Sequence, residues 1–483
     1  MKQNDDITGR PDDDLDRLRA RFGGSFDLST RTFTAAGRTL TGVYLDGMCD
    51  EKKITDAVLA PLCLAAAPAG AADAAGFAEY VRASLYLGAG IAEAKTLENA
   101  GDALLKGAFV LFLPGVPFAL ACSVPGFAKK SVDAPETEQN EAGAKESFTD
   151  DLKDNGALLR RRLRTPKLVL EADTLGTVSK TQILYCYLSD RADAETLKKV
   201  KKRLHETSFA CVPGTGALKP YLENRTASLF SAVGSTERPD VLAAMLCEGR
   251  IAVLADGSPF ALIVPYLLID HFRTADDRMA GGVYALFIRL LRTLGFVIST
   301  VLPGFFTAVC TFHPEVLPAG IMLDIAAAEA STPLSLTAET LTIHLIYEIV
   351  REAGIRIPRA AGPAVSIVGA LVVGDAAVRA ELIASPMLMI VALTAISSAM
   401  SPKLHESTAI IRLTLIVLGG TTGFFGLFTG IGAVLALIVS DAPYGVPFSA
   451  PFAPFSLKKQ SDALLQAPLG KTKNDRIREL KAE

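Results

Sequence analysis

The sequence predicts an α/β soluble N-terminal half, built of two related subdomains, followed by an α-helical polytopic membrane domain. Three observations carry that prediction. Half of the 483 residues are hydrophobic while 21% are charged, and the mean hydropathy is positive at +0.32; a chain holds both only when polarity is segregated along its length. Charged residues crowd before Arg292 and after Leu457 and thin out between them. A shift of 142 residues lays Leu104–Cys122 on Leu246–Val264 with seven of nineteen positions identical, where ordinary residue frequencies give roughly one or two.

The expected units are residues 1–128 and 148–275 for the two subdomains, 129–147 for a linker, 276–456 for the membrane domain and 457–483 for a basic tail. In the first subdomain, RTLTGVYLDGM (38–48) has strand character and helical patterns run up to Lys106. GAFVLFLPGVPFALAC (107–122) reads as two strands around a Pro-Gly turn. KKSVDAPETEQNEAGAKES (129–147) has almost nothing to bury and reads as a linker or exposed loop. The second subdomain opens with the helix FTDDLKDNGALLRRRLR, continues through the strand KTQILYCYL (180–188) and the helix AETLKKVKKRLHET (194–207), and closes on CEGRIAVLADGSPFALIVP (247–265). Asp256-Gly257 suits a two-residue hairpin turn there.

Thr293 to Phe312 is uncharged for twenty residues, long enough to span a ~30 Å hydrocarbon core, with a kink expected at Pro303-Gly304. Residues 313–333 are too charged for a span and read as interfacial or re-entrant. A helix over 336–354 follows, with Thr337, Thr340, His344, Glu348 and Arg351 on one polar stripe. Gly362–Ile383 and Pro386–Pro402 are the next spans. Leu413–Ser440, uncharged for 28 residues but rich in glycine, is either one long span or a broken pair. Basic flanks at both ends argue for cytoplasmic termini and an even count, four spans most simply and up to six.

Net charge of −3 gives no reason to expect nucleic acid. Seven scattered cysteines with no CxxC pair read as unpaired buried thiols. The acidic N-terminus has no apolar run, so no signal peptide is expected and the soluble half should stay cytoplasmic. No nucleophile–base pair, phosphate loop or metal cluster is found. No catalytic, cofactor-binding or metal-ligating residue is therefore assigned, and an enzyme is not expected.

The candidate residues are charged groups in or beside the apolar half. Glu348, Arg351 and Glu352 are read as a salt-bridged interface or as facing an aqueous path, and Asp375 and Arg379 as a pair one helical turn apart. Together these five are candidate pore or gating residues. Candidate subunit contacts are Glu237, Arg238 and Asp240 of TERPD and the run Arg160, Arg161, Arg162. TERPD most simply reads as a helix start capped by Thr236 with Pro239 in the first turn, with the subunit contact as its functional alternative. The arginine run most simply faces solvent, with a phosphate or lipid-headgroup contact as its functional alternative.

YEIVREAGIRIPRAAGPAVSIVGALVVGDAAV (347–378) followed by SPMLMIVALTAISSAMSP (385–402) resembles the A-subunit family of GerA-type spore germinant receptors. TERPD, EGR (248–250), DGSP (256–259), NGALLRRRL (155–163), LPGFF and FHPEVLP (302–318) and YGVPFSAPFAP (444–454) fit in the same order. A SpoVAF-like branch is the second resemblance. The resemblance implies a subunit of a receptor in the spore inner membrane, working with a transporter-like B subunit and a lipoprotein C subunit. It also implies a homo-oligomeric ring enclosing a monovalent-cation path, or alternatively a non-conducting scaffold.

Overall fold

Two five-stranded antiparallel sheets organise the N-terminal half, and they share one strand order. The computed structural model describes residues 5–64, 73–85, 90–126, 135, 138, 143–223, 229–274, 276–278, 282–356 and 374–453. The first sheet runs β1 (Leu28–Ala35), β2 (Arg38–Leu45), β4 (Ala108–Phe112), β5 (Ala119–Ser123), β3 (Ile91–Ala94), and the second runs β6 (Leu168–Leu175), β7 (Thr181–Leu188), β9 (Ile251–Ala255), β10 (Ala261–Val264), β8 (Gly234–Thr236). Helices recur in matching places: α1 (Pro11–Arg21) and α2 (Leu97–Leu105) in the first unit, α3 (Leu152–Arg162) and α5 (Pro239–Cys247) in the second, and α4 (Ala194–Glu206) follows β7 as a helical run over 51–64 follows β2.

The repeat seen in the sequence recurs in the pairing. Phe112 faces Ala119 as Leu254 faces Ala261, and Ala94 faces Ala119 as Thr236 faces Ala261. Strands β4 and β9 are buried along their whole length because apolar clusters cover both faces of each sheet. That burial explains why they read as continuous apolar runs rather than alternating ones. The matched glycines Gly107 and Gly249 both take positive φ (83° and 89°) on entering these strands.

Three expectations are corrected here. The β9–β10 connection is a five-residue loop rather than a two-residue turn at Asp256-Gly257, since the strands end at Ala255 and resume at Ala261. Residues of the expected linker dock onto the second unit: Glu146 pairs with Arg162 (2.8 Å) and Arg161 (3.5 Å), and Ser147 is buried. All seven cysteines are unpaired, but only Cys49, Cys122 and Cys186 are buried, while Cys63 and Cys211 are exposed.

Among the described residues of the C-terminal half, two helices are long and apolar enough to cross a membrane, Val283–Phe312 and Pro402–Ser440. The first lies in α6 (Gly282–Phe312) and the second contains α10 (His405–Ser440); between them lie α7 (Ala319–Glu329), α8 (Leu336–Arg356) and α9 (Ser385–Ala399). Helix α9, expected as a span over 386–402, has 15 residues and rises only about 22 Å. Residues 362–373 of the expected Gly362–Ile383 span lie outside the described residues.

Helix α10 is two arms. At Gly423 the backbone leaves helical geometry (φ 63°, ψ −143°). In a straight helix Gly430 would stand about 22 Å beyond Leu415. Instead a Cβ on Gly430 would lie 2.7 Å from Leu415 Cδ2 and 2.8 Å from Leu418 Cδ1. The second arm therefore folds back on the first, which decides between the two sequence readings in favour of the broken pair. Both ends return to the second soluble unit: Ser407 Oγ donates to the Leu229 carbonyl, and Tyr444 Oη to the Leu222 carbonyl at 2.6 Å. Tyr444 is fully buried in that unit's core, with the Arg203 guanidinium 4.5 Å from its ring centre.

Candidate functional site

The polar stripe on α8 packs against this chain's own helices. Thr337 Oγ1 donates to the Gly420 carbonyl (3.3 Å), Thr340 contacts Thr307 of α6 (3.3 Å), and His344 Nδ1 bonds the Thr340 carbonyl (2.9 Å). Thr340 and His344 are wholly buried. One turn further on, Glu348 is the hub. Its Oε2 accepts from Arg351 Nε (3.0 Å) and lies 3.1 Å from His405 Nε2; its Oε1 accepts from Arg412 Nη2. His405 Nδ1 in turn meets Ser398 Oγ of α9 at 2.9 Å.

Arg412 is fully buried, and a second partner is made for it by a proline. Pro303 has no N–H, so the carbonyl four residues earlier, Ser299, is left without its helical donor. Arg412 Nη1 approaches that oxygen at 3.4 Å, and its guanidinium lies 5.4 Å from the Tyr347 ring centre. One carboxylate thus ties together α6, α8, α9 and α10.

Close backbone approach brings these helices within reach. A Cβ on Gly304 would stand 2.7 Å from the Leu415 carbonyl oxygen, and one on Gly419 2.4 Å from that of Gly304. Small residues at such crossings are how apolar helices associate where water supplies no hydrophobic drive.

The other sequence candidates fall elsewhere. Glu352 pairs with Arg356 (2.8 Å), both exposed and outside the hub. Asp375 and Arg379 do pair, at 2.9 Å, but their side chains are 55% and 79% exposed. Arg160 is corrected: it is not on a solvated face but wholly buried, gripping Asp27 through Nε and Nη2, both at 2.8 Å, and Ser25 at 3.0 Å. TERPD does start a helix, with Pro239 at its first position, but Arg238 rather than Thr236 is the cap residue. Arg238 is buried and forks onto Asp240 (2.7 and 3.1 Å), while Glu237 accepts from the Glu138 amide (2.8 Å).

Sequence reasoning missed Arg412, His405 and Glu138. Arg412 directly precedes the 28-residue uncharged run and so reads as an ordinary positive flank. Glu138 sits in the polar segment taken as linker, yet its carboxylate receives Lys403, just before α10, and Thr236, while its carbonyl accepts from Arg238 (3.2 Å). Where the soluble half meets α6, Asp277 binds Arg292 (2.8 Å) and Arg289 (3.1 Å). Burial pushes the Asp277 carboxyl up, but hydrogen bonds and charge from Arg292 and Arg289 more than reverse this, and its pKa lies below the ordinary value. Nearby, burial holds His271 down to a pKa of about 4, edge-on to Tyr266. Among the described residues no group of three or more His, Cys, Asp or Glu is placed to hold a metal ion.

Comparison with known proteins returns a family model described as Bacillus/Clostridium GerA spore germination protein, matching residues 16–477. Spore germination protein KA of Bacillus subtilis is 36% identical over 89% of this chain and 78% of its own length. Spore germination protein GerLA of Bacillus cereus is 30% identical over 94% and 92%. Stage V sporulation protein AF of Bacillus subtilis is 27% identical over 91% and 88%. The crystal structure of the N-terminal domain of the A subunit of the Bacillus megaterium spore germinant receptor GerK3 is also similar, at 26% identity over 55% of this chain and 97% of that chain, with a TM-score of 0.42.

Proposed function

The chain belongs to the GerA family of spore germination proteins, and from that membership we propose that it is the membrane subunit of a spore germinant receptor, coupling nutrient sensing to release of monovalent cations. Its partners in this reading are a transporter-like B subunit and a lipoprotein C subunit, and its place is the spore inner membrane as a ring of copies. The observation that carries the mechanism is the Glu348 hub. A change in how α8 sits against α6 and α10 would break or re-pair Glu348, so in this reading the transition runs between an arrangement with these bonds and one without them. A partner that binds its ligand and favours one of them shifts the population. The return of both ends of α10 to the second soluble unit supports termini on one side of the membrane.

The test is nutrient-triggered cation flux in liposomes carrying the complex assembled with B and C subunits. E348Q keeps the shape of Glu348 but removes the charge that Arg412 meets, and is expected to change flux at least tenfold without loss of assembly. Unchanged flux and unchanged spore germination would remove the hub from gating.

A non-conducting scaffold that docks the nutrient sensor is the second reading, favoured by the full engagement of Glu348 with Arg351, His405 and Arg412. Wild-type complex that assembles and binds nutrient yet passes no cations decides for it. A SpoVAF-like accessory channel is the variant of the first reading in which flux needs no nutrient sensor.

A further inference from the structure

A second acidic group lies apart from the Glu348 hub. Glu329 ends α7, and Glu339 stands in the first turn of α8, wholly buried. Glu339 Oε1 accepts the Ala384 amide at 2.7 Å, at the head of α9. The two carboxyls face each other closely enough for their charges to interact. Neither Glu329 Oε1 nor Glu339 Oε2, both buried, receives an N–H or O–H from any described group. The groups facing the pair are the Cys310 thiol of α6 and the Ala384 amide; no Lys, Arg or His among the described residues pairs with either carboxyl.

Two carboxylates have only acceptor oxygens, so they can be hydrogen-bonded to each other only if one carries a proton. Without it, two neighbouring negative charges in a partly buried site would repel with nothing to balance them. We propose that Glu329 and Glu339 form a binding site for a single shared proton, which holds α7 against α8 and the head of α9.

The helix ends decide where the proton sits. Glu339 faces the amide end of α9, where partial positive charge favours the ionised form, and Glu329 lies at the carbonyl end of α7, where partial negative charge disfavours it. Glu329 is therefore the acid that donates and Glu339 the carboxylate that receives. The site stands whether or not the protein conducts ions, so its failure and that of the conduction reading are separable.

Infrared spectroscopy of the purified full chain at neutral pH tests this. Surface carboxyls are then ionised, and a protonated carboxyl shows its own C=O stretch, which shifts in D2O. The expected result is a band worth one carboxyl that is absent from both E329Q and E339Q. Glutamine at either position can still supply a donor or acceptor, so the fold is retained, checked by helical content and elution volume. E329Q, at the less buried position, serves alone if E339Q fails to fold. Identical bands in wild type and folded variants overturn the proposal. Disappearance of the wild-type band on adding potassium at fixed pH also overturns it, in favour of an alkali-ion site.

Discussion

Arg412 shows how a buried charge can be held without leaving an acid or a carbonyl stranded. Its guanidinium meets the Glu348 carboxylate on one side and the Ser299 carbonyl released by Pro303 on the other. Elsewhere the same economy holds Arg250, which is fully buried and meets Asp270 at 2.7 Å and the Pro265 carbonyl at 2.9 Å. His271 behaves differently, because burial keeps it neutral. With a folded pKa of about 4 and an unfolded one near 6.5, the unfolded chain takes up a proton that the folded chain refuses. Its contribution to stability is full above about pH 6.5, falls as pH drops through the window from about 6.5 to 4, and levels off below. Thermal unfolding of wild type and H271F across that window should show the wild type losing on the order of 2–3 kcal/mol more. Parallel curves would mean that His271 is not the titrating group.

At the scale of elements, Gly423 decides what the longest apolar stretch becomes. Its φ of 63° lies where only glycine is at ease, and Phe312 and His313 close against it, at 3.1 Å from where a Cβ would stand. G423A should strain the turn and push on that contact together. The expected outcome is loss of the fold-back between the arms, read as a broken cross-link between cysteines introduced at 415 and 430 in the membrane-embedded chain. A cross-link as efficient as in the parent would show that the turn does not depend on glycine. Helix α8 illustrates the converse, since its stripe was visible in the sequence through 3.6-residue spacing. What the stripe touches was not visible, because Gly420, Thr307 and Arg412 come from helices up to about eighty residues away.

At the scale of the whole molecule, the two soluble units are locked into one another by Arg160. It crosses from α3 to Asp27 and Ser25, while the Phe26 amide donates to the Leu170 carbonyl (2.8 Å) and the Leu170 amide to Ser25 Oγ (3.0 Å). R160M leaves the buried Asp27 carboxylate without its partner and should cost about 3–5 kcal/mol, read from thermal unfolding of the full chain. R160M with D27L removes both charges and should recover most of that loss; equal destabilisation by single and double variants would deny the pairing. The segment after α10 completes the assembly by returning Tyr444 to the second core, so membrane and soluble halves share one packed interior.

The sequence by itself determined the division into an α/β half and an apolar helical half, the recurrence at a 142-residue offset, and the family. These rest on composition, periodicity and residue order, which are local or one-dimensional properties. Tertiary structure alone decided that Arg160 is buried, that Glu138 is a contact rather than linker, that α10 folds at Gly423, and that Glu348 meets Arg412. The reason is the same in each case: a charge reads as solvent-facing or as a flank until a distant partner takes it out of water. Such partners are set by how helices and sheets pack, which spacing along a single strand of sequence does not carry.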